Sequence, residues 1–146
     1  MAATPTDLYA FGGKSDRVEI LRKELYGRDR DVALHYAKLL KFEDLEKLFA
    51  GLIHIARSVH GPFNAAWDII KSMPRDWILA NIEKEADAIL AHEEEDDYWM
   101  FLNLYDQLDS GLAKKLAIRA SQHGNPAIQE PGQEFLEKLA HKIVSV

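Results

Sequence analysis

The chain has no cysteine, which excludes disulfide staples, thiolate metal centres and a cysteine nucleophile, and permits a reducing compartment. No apolar run approaches the ~18 residues a bilayer-spanning helix requires, so no membrane association is expected. The opening MAATPTDLYAFGG lacks a basic segment followed by a long apolar stretch and does not read as a secretory signal. No segment alternates apolar and polar residues as a half-buried strand does. G-x-S-x-G, a Gly-rich phosphate loop and H-E-x-x-H are all missing. These absences point to a cytoplasmic protein that is not an enzyme and holds no metal or cofactor.

What is present is helical. With 146 residues and 47% hydrophobic content, the chain can bury a core as one domain over 15–146, entered by an arm over 1–14. Leu45, Leu48, Phe49, Leu52, Ile53, Ala56 and Val59 recur three and four apart and predict one long amphipathic helix. Before it, Asp16 with Glu19 suits the start of a helix that Gly27 stops. Asp29 or Asp31 then suits the cap of a second, carrying Val32, Tyr36, Leu39 and Leu40 inward. Further stripes run through Phe63, Ala66, Trp67 and Ile70, and, after Pro74, through Ile78, Ile82, Ala86 and Ile89. The expected fold is all-α, with about seven or eight helices joined by short connections that make sequential helices antiparallel.

A repeat underlies these helices. Met73-Pro74-Arg75-Asp76-Trp77 and Leu108-Asp109-Ser110-Gly111-Leu112 stand 35 residues apart, each placing an apolar residue on either side of a tight corner. Asn125-Pro126-Ala127-Ile128-Gln129-Glu130 followed by Phe135-Leu136-Glu137-Lys138-Leu139 resembles the opening helix of a HEAT repeat, and Ala113, Ala117 and Ala120 agree with it. The resemblance covers residues 62 to 144 and implies antiparallel hairpins stacked as a short α-solenoid used for binding. Its small bacterial members include scaffold modules, bilin-lyase relatives, alkylated-base glycosylases and toxin-neutralising immunity proteins. Pro131-Gly132 departs from the family pattern, so a kink or restart is expected there.

Charge is unevenly placed. Residues 76 to 109 hold 11 acids and one base, Lys84, whereas 1 to 75 hold 10 acids and 12 bases, and 110 to 146 three acids and five bases. The middle block repels nucleic acid and attracts basic proteins. At its centre lies AHEEEDDYW, residues 91 to 99. Metal binding is disfavoured because nothing makes these carboxylates converge and His92 has no helical partner four residues away, Ala88 standing before it and Asp96 across a loop after it. Paired acid-base chemistry is disfavoured because clustered, solvated acids share one environment. An ordinary wet corner, with Asp96 or Asp97 capping a helix that starts at Tyr98, stays open.

The inward stripe Tyr98, Phe101, Leu102, Tyr105 and Leu108 leaves Trp99 and Met100 either buried by neighbours or exposed beside the acids. The second arrangement gives an aromatic anchor with an acidic rim. The expected site is therefore a protein-binding surface of Glu83, Asp87, Glu93, Glu94, Glu95, Asp96, Asp97, Trp99 and Asp106, for a basic partner such as a toxin domain. A homodimer through Trp99, an adaptor binding through a concave face, and an enzyme of the HEAT-like lyase or glycosylase type are the alternatives.

Overall fold

Every regular element in the computed structural model, which describes residues 14–144, is an α-helix. In chain order these are α1 (Lys14–Glu24), α2 (Arg30–Ala37), α3 (Phe42–Ala56), α4 (Phe63–Ser72), α5 (Arg75–Leu90), α6 (Glu95–Leu108), α7 (Ser110–Ser121) and α8 (Pro126–Val144). Apart from residue 14, the arm expected over 1–14 lies outside the described residues. None of the described helices is long and apolar enough to cross a membrane. The helices gather into two compact units, the first ending at Ile82 and the second starting at Glu83. That boundary falls within α5, where composition carries no linker signal.

In the first unit α1 packs on α2 and α3, α2 on α4, and α3 on α4. The α3 stripe explains why: Leu48, Leu52, Ile53 and Ile55 are fully buried, so this helix is covered on more than one side. Burial of each such side chain contributes about 1.5–3 kcal/mol. Trp77, at the start of α5, meets the rings of Phe42 and Phe49 edge-on at 5.4 and 4.8 Å. Trp67 donates from Nε1 to the Ala56 carbonyl at 2.8 Å, which satisfies a buried indole and caps the exposed end of the α3 ladder.

Two local expectations are corrected here, and a third is met in position only. Leu39 is 72% exposed and Val59 44%, because α2 ends at Ala37 and α3 at Ala56, beyond which helical spacing no longer sets direction. Glu19 is not a capping partner of Asp16; it accepts from Arg22 Nε at 3.0 Å within a helix already under way at Lys14. Asp29 occupies the N-cap of α2 without a side-chain hydrogen bond.

In the second unit α6 packs on α7 and α8, and α7 on α8. Phe101, Leu102, Leu104, Ala113, Ala117, Ala120 and Ile128 are fully buried. The expected restart at Pro131 is absent: α8 runs unbroken from Pro126 to Val144. Tertiary packing holds it together. A Cβ on Gly132 would clash with the Ser121 amide nitrogen and lie 2.7 Å from the Ala117 carbonyl oxygen, so the two helix backbones meet directly at this point. Alanines on α7 and glycine on α8 permit an approach that larger side chains forbid, and that contact outweighs the one hydrogen bond proline removes.

Candidate functional site

Glu83 and Asp87 lie four residues apart on the second half of α5, hence on one helical face. Lys115 and Arg119 have the same spacing on α7. They meet rung by rung: Lys115 Nζ lies 2.9 Å from Glu83 Oε2, and Arg119 Nη1 2.7 Å from Asp87 Oδ1. Because both numbers rise together, the paired segments run in the same direction. Asp106 of α6 repeats the pattern with Lys138 of α8 at 3.4 Å, and Lys138 also sits 5.0 Å above the Phe135 ring. All three pairs span 32 residues.

The corner between α5 and α6 is built differently. Glu93 has φ 59°, in the left-handed region that favours glycine and costs a side-chain-bearing residue about 1 kcal/mol or more. From there its carboxylate reaches His123 Nε2 at 3.3 Å. His123 Nδ1 accepts the Asn125 amide at 2.9 Å, which fixes the tautomer that donates from Nε2 toward Glu93. Its ring meets Tyr98 edge-on at 5.9 Å.

Helix α6 begins at Glu95, three residues before the expected start at Tyr98. Neither Asp96 nor Asp97 is its cap. Glu94 holds the N-cap position and its side chain accepts no backbone amide, unlike Asp109, whose Oδ2 accepts from Leu112 N at 3.1 Å to cap α7. Glu94, Glu95 and Asp96 are exposed, and among the described residues no basic side chain pairs with them. Asp97 is only 3% exposed and engaged within the chain.

Trp99 is half-buried with its ring 6.2 Å from that of Phe135, and Met100 is buried. The wet aromatic anchor is thus partly covered by α8. Deeper on the same helix, Tyr105 is 2% exposed, and its hydroxyl has no hydrogen-bond partner. Burial first, then the charges of Asp87 and Glu83, raise its pKa well above the ordinary tyrosine range.

The nine residues singled out from sequence therefore separate. Glu83, Asp87, Glu93 and Asp106 face cations or an imidazole of the same unit. Asp97 is inside and Trp99 is partly screened, which leaves Glu94, Glu95 and Asp96 as a free acidic corner. Sequence reasoning passed over the partners Lys115, Arg119, His123 and Lys138. The matching four-residue spacing of acids on α5 and bases on α7 was the available signal. Among the described residues no group of three or more histidine, aspartate or glutamate side chains converges as metal ligands. No family model matches the chain, and neither does any curated protein or solved structure.

Proposed function

We propose that the chain is a non-enzymatic cytoplasmic module that binds a basic protein through the corner formed by Glu94, Glu95 and Asp96. The observation that carries this is their unspent charge: three adjacent carboxylates stand exposed, with no cap bond to Glu94 and no cation of the chain against them. Adjacent like charges repel one another, and a positively charged partner relieves that repulsion while speeding encounter. The surface is narrower than the acidic block itself, because Glu83, Asp87 and Asp106 are occupied within the fold. Where the partner is a nuclease-type toxin, the three carboxylates stand in for phosphates and obstruct its substrate groove.

HEAT-like stacking is part of the same proposal. It is supported by the packing of next-but-one helices within each unit, α1 on α3, α2 on α4 and α6 on α8. The constant 32-residue span of the ion pairs agrees with a repeated helical hairpin.

The test is capture of partners from source cells on the immobilised chain at low and high salt, beside a variant carrying Glu94→Gln, Glu95→Gln and Asp96→Asn. A basic protein retained at low salt, released at high salt and lost from the variant supports the proposal. Equal retention by the variant assigns binding to another face and removes it.

A further inference from the structure

In the second unit, the connection from α7 into α8 is tied together through one imidazole. His123 Nδ1 accepts the Asn125 amide at 2.9 Å, and the Gln129 side-chain amide donates to the His123 carbonyl. Asn125 in turn opens α8: its Oδ1 accepts from Ala127 N at 3.0 Å and its carbonyl from Gln129 N at 3.0 Å. On the other edge of the ring, Nε2 stands 3.3 Å from Glu93 Oε1, with the His123 side chain 19% exposed and that of Glu93 66%. Two partners of opposite demand therefore share one ring. An amide N–H needs a lone pair on Nδ1, which only the neutral imidazole has, whereas a carboxylate is held best by the imidazolium, in which both nitrogens donate. The other groups facing the ring do not resolve this conflict. Tyr98 of α6 meets it edge-on at 5.9 Å, α8 faces it with the uncharged Asn125 and Gln129, and Arg119, one turn earlier on α7, is engaged with Asp87 at 2.7 Å.

We propose that His123 is a proton-operated clasp: uptake of one proton trades the Asn125 amide bond for an ion pair with Glu93, loosening the entry to α8 while tightening the corner between α5 and α6. Protonation places an N–H on Nδ1 against the Asn125 N–H, and two donors facing each other at hydrogen-bond distance must separate. In the same step Glu93 gains a fully charged partner. Glu93 directly precedes Glu94, Glu95 and Asp96. With the imidazole neutral it adds a fourth carboxylate to that run, and with the imidazole charged the addition is offset. This consequence rests on the docking reading above: retention of a basic partner weakens in acid by way of His123.

The experiment is an NMR titration of the full chain from about pH 8 to about pH 5, across the ordinary histidine value of ~6.5, following the imidazole nitrogens and the Asn125 amide. The expected result is a neutral ring protonated on Nε2 at the alkaline end, and an Asn125 amide proton that shifts upfield with the midpoint of His123. Glu93→Gln moves that midpoint to lower pH by roughly 0.5, since it removes a partly screened attraction for the charged ring. His123→Asn keeps an acceptor near the Nδ1 position without a titrating group, and its Asn125 amide no longer responds. Partner capture on the immobilised chain, repeated at both ends of the range, falls in acid for the natural chain and falls less for His123→Asn. A neutral ring protonated on Nδ1, an Asn125 amide indifferent to the His123 titration, or a midpoint unmoved by Glu93→Gln overturns the clasp. Capture that weakens equally in both chains overturns its control of docking. Absence of capture at every pH removes the docking reading alone, and the nitrogen shifts still decide the clasp.

Discussion

Arg119 donates to Asp87 at 2.7 Å, one helical turn beyond the Lys115–Glu83 contact, so two parallel helical segments are joined by successive charged rungs. Both side chains of the Arg119–Asp87 pair remain close to half-exposed. Solvent screening limits what such a pair contributes, and the main effect of the two rungs together is to fix register and to offset the charge of two carboxylates.

Asp87→Asn is therefore expected to lower stability by less than about 1 kcal/mol, with a shortfall that shrinks at high salt. Urea unfolding of the single variants and of the double variant with Arg119→Gln measures the coupling. A loss of several kcal/mol identifies a buried charge network in place of a screened pair.

Gly132→Ala tests the crossing of α7 and α8. The added methyl meets backbone atoms of Ala117 and Ala120 that cannot rotate aside. The expected cost is about 1–3 kcal/mol or more, although alanine is the better helix former by roughly 1 kcal/mol. Thermal or urea unfolding decides the sign. Stabilisation means the helices do not approach this closely.

Tyr105→Phe removes a buried hydroxyl that lacks a partner. Stability near neutral pH is expected to be unchanged or raised by up to about 1 kcal/mol, since no hydrogen bond is lost. At alkaline pH the sign follows from linkage. The folded pKa lies above the ordinary value of 10.0, so above that pH the unfolded chain releases this proton first. The contribution of Tyr105 to stability is complete below pH 10.0 and declines as pH rises toward the folded value. Equilibrium unfolding from neutral to alkaline pH checks this, and the phenylalanine variant loses that part of the decline.

Periodicity exposed the helices because burial imposes it. The α3 stripe from Leu45 to Ala56 is buried, and Phe101, Leu102 and Tyr105 take their expected inward places on α6. Ends were harder to read. Leu39 and Val59 continue the apolar spacing past the last helical turn, and Glu95 opens α6 without a side-chain cap to announce it. The restart expected at Pro131 failed for a related reason, since local propensity could not reveal that Gly132 meets α7 backbone. The acidic block was visible in composition, but its neutralisation was not. Lys115 and Lys138 lie 32 residues beyond their partners, and only packing brings such groups together.

The central claim is a division of labour among the acids, and one comparison tests it most directly. Glu94→Gln, Glu95→Gln and Asp96→Asn form one variant; Glu83→Gln and Asp87→Asn form the other. Thermal unfolding and salt-sensitive retention of a basic partner are measured on both. The account predicts an unchanged melting temperature and lost retention for the first, and a slightly lowered melting temperature with partner retained for the second. Loss of the partner from the second variant alone, or from neither, contradicts it.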